Sequence, residues 1–235
     1  MNIFDIAREI RLKIYSELLV LSEPIVFVAN YGPSSSPLFR FKRDELCPAL
    51  LRINKRMYSE VNTLLYSNNR FRFPKVFTFT SSITDSAHIA PFLHQIESQA
   101  SHIRHICIPF PTFDYPQPDR ARLHKAHIKN LELVRDTYTS IRTLELLVSS
   151  NCANYALSDS SIAAEVLDLL DTHFKNIPSL KEIVINFEMY LEQDPSDDLT
   201  KKMHDYEWTV KVTKLLKKKW ISLDDRVEFD NEEDC

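Results

Sequence analysis

The chain has 235 residues, a net charge of −4 and hydrophobic residues at 44% of its positions. This length and apolar share suffice for one large domain or two small ones with a sizeable core. The charge balance lacks the strong positive field that attracts nucleic acid or anionic lipid, and no apolar run reaches the roughly 18 residues of a membrane-spanning helix, so we expect neither a nucleic-acid nor a membrane partner.

Glycine is scarce, because Gly32 is the single glycine of the chain. Phosphate-binding loops need glycine, since their backbone must approach the phosphate closely and adopt positive φ. The scarcity therefore excludes Walker-type loops and dinucleotide-binding fingerprints. Helix ends must use asparagine, serine or other polar residues instead.

The four cysteines, Cys47, Cys107, Cys152 and Cys235, are widely spaced and form no CxxC pair. A disulfide framework is not expected in a chain this long and this rich in core residues. Cys107 lies inside an apolar strand pattern, and we predict a buried thiol. Residues 1–11 lack the basic start and apolar run of a signal peptide, so the sequence predicts an intracellular protein, cytoplasmic or nuclear.

The first predicted element is an amphipathic helix over residues 5–20. Its apolar residues recur every four positions, at Ile6, Ile10, Ile14 and Leu18. This spacing places them on one face of the helix. That face could dock in a groove of a partner protein, or it could pack inside the protein against the second helix. Leu12 and Leu21 lie off the face, and exposure of both would favour docking.

A loose β-hairpin or two short edge strands follow the first helix. Residues 25–28 and 38–41 are mostly apolar and flank the turn-rich stretch YGPSSSP. Turn residues between two apolar runs are typical of a hairpin.

The second predicted helix covers residues 48–67, with Pro48 in its first turn. We expect its buried face to consist of Ile53, Met57, Val61 and either Leu64 or Leu65. We expect Lys55, Arg56, Ser59, Glu60 and Asn62 to face water. Asn68 and Asn69 end the helix without glycine.

Beyond residue 70 the pattern alternates between strand and helix. Strands are predicted over residues 71–73 together with 76–80, 103–108, 141–148 and 180–187. Helices are predicted over residues 85–98, 120–138, 161–175 and 198–219. Residues 109–119 contain four prolines and are predicted to form a long surface loop.

Three of these strands have similar sequences, HIRHICI, SIRTLEL and SLKEIVI. Their anchor residues Ile103, Ile141 and Leu180 lie 38 and 39 residues apart. A strand and a helix recurring at this period predict βα units with a parallel sheet and right-handed crossovers. The prediction is an irregular, leucine-rich-repeat-like solenoid of about four strands with helices on one side. A compact α/β layer without true repeats is the alternative.

The predicted fold class is therefore α+β or α/β, in three parts. Residues 1–70 form a helical region with a short hairpin, residues 71–222 form the α/β repeat-like region, and residues 223–235 form an acidic tail.

Two histidine pairs, His102/His105 and His124/His127, are the first candidates for a metal site. Helical i,i+3 spacing can bring two imidazoles to one metal ion. The first pair falls on a predicted strand, where residues i and i+3 face opposite sides. The second pair falls on the solvated face of a predicted helix. No third ligand recurs near either pair, so no metal site is predicted.

Catalytic patterns are equally absent from the sequence. Cys152 and His173 form no recognisable dyad, and the acidic pair Asp168 and Asp171 is typical of a solvated helix face. The basic run over residues 214–219 complements the dipole at the end of a predicted helix and lacks interleaved aromatic residues for nucleic acid. The sequence predicts no catalytic residue and no cofactor.

Two blocks of the chain carry a family resemblance. Residues 9–19 match its signature at Glu9, Ile10, Arg11, Ile14, Tyr15, Leu18 and Leu19. Residues 50–73 match it at Leu50, Leu51, Glu60, Leu65, Tyr66, Asn69, Phe71 and Phe73. Over about residues 3–110 the chain resembles the F-box-like domains of filamentous fungi. The family has Leu-Pro where this chain has Ile6 and Ala7.

The resemblance implies a non-enzymatic protein-interaction module, a substrate-recruiting subunit of a cullin–RING ubiquitin ligase that binds a Skp-type adaptor. In this family the Leu-Pro pair begins the adaptor-binding surface. The corresponding interface here would consist of Ile6, Ile10, Leu12, Ile14 and Leu18. The departure at Ile6 and Ala7 supports an alternative, a stand-alone structural or regulatory binding protein without a ligase role. An enzyme would instead show a deep pocket lined with ionisable groups of shifted pKa.

Overall fold

The computed structural model describes residues 3–28, 38–40, 46–73, 92, 96–117, 120–149, 160–190, 194–215, 220–221 and 228–229. Five α-helices lie in this part of the chain: α1 (Arg8–Leu19), α2 (Lys55–Asn68), α3 (Lys125–Thr137), α4 (Ser160–Lys175) and α5 (Asp197–Asp205). Short 3-10 helices cover Ile3–Asp5, Pro48–Arg52 and Glu97–His102. No helix in the described ranges combines the length and the apolar character that crossing a bilayer requires.

A seven-stranded sheet forms the centre of the fold. Its strands, in spatial order, are β2 (Leu38–Arg40), β1 (Ile25–Val28), β3 (Arg70–Arg72), β4 (His105–Pro109), β7 (Thr143–Ser149), β8 (Glu182–Tyr190) and β9 (Thr209–Leu215). Only β1 and β2 pair antiparallel, as the predicted hairpin requires, and every other pair in this sheet is parallel. Two further ribbons join β5 (Phe113–Gln117) to β6 (Arg120–Leu123) and β10 (Trp220–Ile221) to β11 (Glu228–Phe229).

The predicted parallel sheet is confirmed. Strands β4, β7 and β8 each begin two residues after the anchors Ile103, Ile141 and Leu180. Each anchor amide donates a hydrogen bond to the carbonyl three residues earlier, so the same turn precedes all three strands. The sheet also continues across residue 70, since β1 pairs with β3 and β3 pairs with β4.

One face of this sheet carries the main core. Alternate residues of β7 and β8, including Leu144, Leu146 and Phe187, are buried there. They share one apolar cluster with Val134 of α3, Leu170 of α4 and Met203 of α5. Burying an aliphatic or aromatic side chain of this size contributes roughly 1.5–3 kcal/mol relative to leaving it in water. Burial of this face therefore holds α3, α4 and α5 against the sheet.

The prediction of one helix over residues 198–219 is wrong in its second half. Helix α5 ends at Asp205, and Glu207 takes φ = 64°, a left-handed conformation that usually falls to glycine. Thr209–Leu215 then forms strand β9. Alternating β-branched residues favour an extended backbone at this position over a helix.

The loop predicted over residues 109–119 is wrong as well. Phe113–Gln117 and Arg120–Leu123 pair as a β-hairpin, and helix α3 begins only at Lys125 instead of residue 120. Proline is tolerated in a two-stranded ribbon, because one side of each strand needs no ladder partner.

Several other predictions can be placed on the structure. Helix α4 and the strand over residues 71–73 are confirmed to within one residue. The strand over residues 76–80 and residues 85–91 of a predicted helix lie outside the described residues, as do Cys152 and Cys235. Cys107 is buried, as predicted.

Candidate functional site

Helix α1 packs on α2 through one face. Tyr15 and Leu19 are fully buried and form a small apolar cluster with Met57 and Val61 of α2. Arg11, one turn before Tyr15, is also buried. Positions four residues apart lie on the same side of a helix, so these residues define the inner face of α1.

The apolar stripe predicted from the sequence lies on a different face of α1. Ile10, Ile14 and Leu18 are 53%, 38% and 39% exposed. Each precedes an inner-face residue by one position, which rotates it by about 100° around the helix axis. The interpretation that this stripe packs against the second helix is therefore wrong. We call Ile10, Ile14 and Leu18 the exposed stripe.

The remaining predicted interface residues are less accessible. Ile6 and Leu12 are half-buried, and Leu12 packs against the cluster between α1 and α2. Leu21 packs against the main core, so the exposure of both Leu12 and Leu21 that would favour docking is not found. The structure thus leaves three of the five predicted interface residues on an open face.

A buried ion pair fixes α1 to α2. Arg11 donates from Nη2 to Oε1 of Glu60 at 2.5 Å and from Nε to Oε2 at 3.1 Å. Its Nη1 donates to the carbonyl of Ile6 at 2.6 Å. The Arg11 hydrogen bonds lower the pKa of the Glu60 carboxyl below its ordinary value. The prediction that Glu60 faces water is wrong, because its carboxylate neutralises this inner-face arginine.

Asn69 links the end of α2 to the end of α1. Its Nδ2 donates to the carbonyls of Leu19 at 2.7 Å and Leu65 at 2.9 Å. Its Oδ1 accepts from the amide of Leu21 at 2.8 Å. The side chain thereby satisfies carbonyls that a helix end leaves without partners, as the lack of glycine requires.

The residues of the family resemblance divide into two groups by location. The larger group is internal and includes Arg11, Tyr15, Leu19, Glu60, Leu65, Asn69, Phe71 and Phe73. The smaller group is exposed and consists of Glu9 and the exposed stripe. Arg11, Tyr15, Leu19, Glu60 and Asn69 of the internal group contact or belong to α1, whereas Leu65, Phe71 and Phe73 belong to the main core.

The second predicted helix differs from expectation at two further positions. Ile53 precedes α2 and is exposed, because Asn54 caps the helix by accepting from the amide of Met57 at 2.9 Å. Asn62 is buried, and its Nδ2 donates to Oε1 of Gln99. Met57, Val61 and Leu65 are buried as predicted.

A polar cluster lies on the sheet face opposite the main core. Glu145 of β7 is only 3% exposed. Its Oε2 lies 3.0 Å from His105 Nε2 and 3.3 Å from Cys107 Sγ, and its Oε1 accepts from Asn186 Nδ2 at 2.9 Å. Burial opposes ionisation of this carboxyl, but the hydrogen bonds outweigh burial and lower its pKa to about 2. We call Glu145, His105, Cys107 and Asn186 the Glu145 cluster.

Two arginines border the Glu145 cluster on β3. Arg72 makes a bidentate pair with Glu188, with nitrogen–oxygen distances of 2.6 and 2.8 Å. Arg70 Nη1 lies 4.0 Å from Glu145 Oε2, and its Nη2 donates to the carbonyl of Ser22 at 2.5 Å. These contacts place positive charge next to the buried carboxylate.

The histidines and carboxylates singled out in the sequence are more buried than predicted. His127 is buried and hydrogen-bonded through Nε2 to Thr112 Oγ1 at 2.9 Å. Burial, aided by His124, lowers the pKa of His127 to about 4. Asp171 is buried too and pairs with Lys175 at 2.6 Å. The prediction of a solvated face is wrong for His127 and for Asp171.

Sequence reasoning missed the Glu145 cluster. His105 and Cys107 are two residues apart on one strand and therefore share a face, which was a usable signal. Glu145 joins them through the pairing of β4 with β7, which places it opposite Cys107. The repeat spacing of 38 residues relates these two positions in the sequence, but the chemistry appears only when the register is known.

Comparison with known proteins finds no matching family model, no matching curated protein and no matching solved structure. The functional argument therefore depends on the geometry of this chain.

Proposed function

We propose that the protein is a non-enzymatic interaction module whose exposed stripe on α1 docks a partner protein. The observation that carries the proposal is the exposure of Ile10, Ile14 and Leu18 on one face of helix α1. Apolar residues spaced by four positions are the anchors that an amphipathic helix lays into an apolar groove. Isolated surface leucines are common, but a continuous row marks an interaction surface.

The packing of α1 suits this role. Its inner face is fixed by Tyr15, Leu19 and the Arg11–Glu60 pair, so the stripe is held in one orientation before a partner arrives. A preorganised surface loses little conformational entropy on binding, which leaves more of the contact free energy for affinity.

The partner that best fits the resemblance is a Skp-type adaptor of a cullin–RING ubiquitin ligase. In this proposal the leucine-rich-repeat-like βα units after β3 present a second surface that recruits a target protein. The mechanism is proximity, since the chain brings a target to the ligase and makes or breaks no bond itself. The protein then acts inside the cell, in the cytoplasm or nucleus.

The test is a binding assay with purified Skp adaptor. Ile10→Asp and Ile14→Asp place a charge in the stripe and should each weaken binding by tenfold or more, because an unpaired carboxylate is costly to desolvate. Val212→Asp on β9 is the matched control, since Val212 is 41% exposed on another element. The free energies of unfolding of all variants should lie within about 1 kcal/mol of that of the parent chain.

Two results would contradict the ligase proposal. One is a parent chain that fails to bind the adaptor at all. The other is adaptor binding that Ile10→Asp leaves unchanged.

The alternative function is a stand-alone structural or regulatory binding protein that uses the same stripe on another partner. The half-buried Ile6 and the neighbouring Ala7, where the family has Leu-Pro, favour it. Isolation of the tagged protein from its own cells separates the two proposals. A near-stoichiometric cullin complex would exclude the alternative, and a complex without cullin that Ile10→Asp disrupts would support it.

A further inference from the structure

The Glu145 cluster brings three metal-ligand atoms together. A ring nitrogen of His105, Cys107 Sγ and a carboxylate oxygen of Glu145 all lie within 4.8 Å of one another. His105 and Cys107 share a face of β4, and Glu145 lies opposite Cys107 on β7. Two paired strands therefore fix the positions of all three groups.

The two carboxylate distances approach those of a small tetrahedral site. Zinc bonds of about 2.0–2.3 Å place neighbouring ligand atoms on the order of 3.3–3.8 Å apart. Glu145 Oε2 lies 3.0 Å from His105 Nε2 and 3.3 Å from Cys107 Sγ. Binding of an ion therefore requires side-chain rotations that widen this triangle.

The surroundings orient the carboxylate toward the other two groups. Asn186 Nδ2 donates to Oε1 of Glu145 at 2.9 Å, which leaves Oε2 facing His105 and Cys107. Partners of this kind fix the orientation of metal ligands. His105 keeps 21% of its side chain exposed, which gives an ion a path from solvent.

The donor set selects the kind of metal. One imidazole nitrogen, one sulfur and one carboxylate oxygen suit a borderline-soft ion such as Zn²⁺, whereas Mg²⁺ and Ca²⁺ take oxygen ligands. A zinc ion with three protein ligands keeps a fourth position for water.

We propose that His105, Cys107 and Glu145 bind one Zn²⁺ ion, with water as the fourth ligand. On binding, the Cys107 thiol releases its proton to the buffer, and the imidazole proton resides on Nδ1. The thiolate and the carboxylate then balance the two positive charges of the ion. The bound ion joins β4 to β7 in the centre of the sheet.

The experiment measures zinc bound to the full chain after EDTA treatment, dialysis against a defined Zn²⁺ concentration and desalting. We expect about one Zn²⁺ per chain for the parent protein, and at least a tenfold loss for Cys107→Ser and for Glu145→Gln. A variant with Cys47, Cys152 and Cys235 replaced by serine is the matched control and should retain the ion. Free Zn²⁺ at roughly 100 times Kd should raise the Tm by about 5–10 °C.

Cobalt supplies a second readout. Co²⁺ in the same site should show a thiolate-to-metal charge-transfer band that Cys107→Ser removes and the triple-serine control keeps. If Cys107→Ser fails to fold in EDTA, zinc binding by His105→Gln decides, because the His105 side chain is partly exposed and a substitution there is better tolerated. The proposal would be overturned by a parent chain that binds no zinc, or by loss of zinc when the other three cysteines are replaced by serine.

The proposed docking function is tested separately, since Ile10→Asp should keep its zinc.

Discussion

Arg11 is a charged residue at a position where a helix pair ordinarily buries an apolar one. Its guanidinium is satisfied by Glu60 and by the carbonyl of Ile6, and it also lies 5.4 Å from the ring centre of Phe4. A buried charge is tolerated only when partners replace its lost hydration. The Glu60 carboxylate is therefore the charged partner that allows Arg11 to be buried between α1 and α2.

Glu60→Ala should lower the free energy of unfolding by about 3 kcal/mol, because it leaves the Arg11 cation buried without its partner. Arg56→Ala is the control, since Arg56 is largely exposed and only 3.8 Å from the same carboxylate. We expect Arg56→Ala to lower the free energy of unfolding by less than about 1 kcal/mol. Urea unfolding of both variants measures the difference, and equal losses would refute the role of the buried pair.

His127 should make the protein less stable in mild acid. Its pKa is about 4 in the folded chain and 6.5 in the unfolded chain, so below pH 6.5 the unfolded state binds the extra proton. Stability should fall as the pH drops from 6.5 toward 4, by roughly 2 kcal/mol between pH 7.5 and pH 5, with no contribution above that window.

The measurement is urea unfolding of the parent chain and two variants at both pH values. His127→Gln should lose this part of the pH dependence. Thr112→Val should retain it, because burial is the main cause of the lowered pKa and the hydrogen bond is not. If the free energy of unfolding of His127→Gln falls with pH as steeply as that of the parent chain, other groups cause the acid sensitivity.

At the residue scale, the sequence predicted which apolar side chains are buried better than which charged side chains are buried. Met57, Val61 and Cys107 followed from their spacing and type. Arg11 and Glu60 did not, because they lie 49 residues apart and each alone has the character of a surface residue. Their burial is decided by the contact between two helices, which periodicity within one helix does not contain.

At the element scale, the connections between helices and strands depend on polar side chains. Asn69 contacts both α1 and α2 and lies directly before β3. Asn69→Ala should lower the free energy of unfolding by about 2–3 kcal/mol, because it leaves buried backbone groups without partners. Asn68→Ala is the matched control, since Asn68 is exposed and its Oδ1 accepts from the hydroxyl of the neighbouring Ser67 at 2.7 Å. Thermal unfolding of both should separate them, and similar Tm values would contradict a linking role.

The elements that the sequence predicted well are those with one clear period. Helix α4 and the strands after the three anchors fall in this class. The segment over residues 209–215 was misassigned, because the basic residues that follow suggested one long helix, although the alternation of TVKVTKL favours a strand. A left-handed residue such as Glu207 at the end of α5 gives no sequence signal of its own.

At the scale of the whole molecule, the described parallel strands pair through their backbones with adjacent strands of one sheet. Amides of β7 and β8 should therefore exchange with solvent most slowly, since each strand has partners on both sides. Amides of β9, at one end of the described sheet, should exchange at least tenfold faster on average. Hydrogen-exchange mass spectrometry checks this order, and equal protection in β8 and β9 would contradict it.

The overall architecture was partly foreseeable. The 38- and 39-residue spacing indicated a parallel sheet, and the structure has one. The pairing of β1 with β3 in that sheet was not predictable, because the sequences of two short strands far apart in the chain do not indicate that they pair. The exposed stripe was identified as a set, but its orientation required the packing of Tyr15 and Leu19 to be known.

The spatial order β3-β4-β7-β8-β9 follows the order of these strands in the chain. A duplicated βα unit inserted after β8 would therefore lengthen the sheet without crossing any existing connection. Each insertion would displace β9 from α1 by about 4.8 Å, the separation of neighbouring strands. The separation between the N-terminal helix and the far edge of the sheet would then be set by the number of units between them.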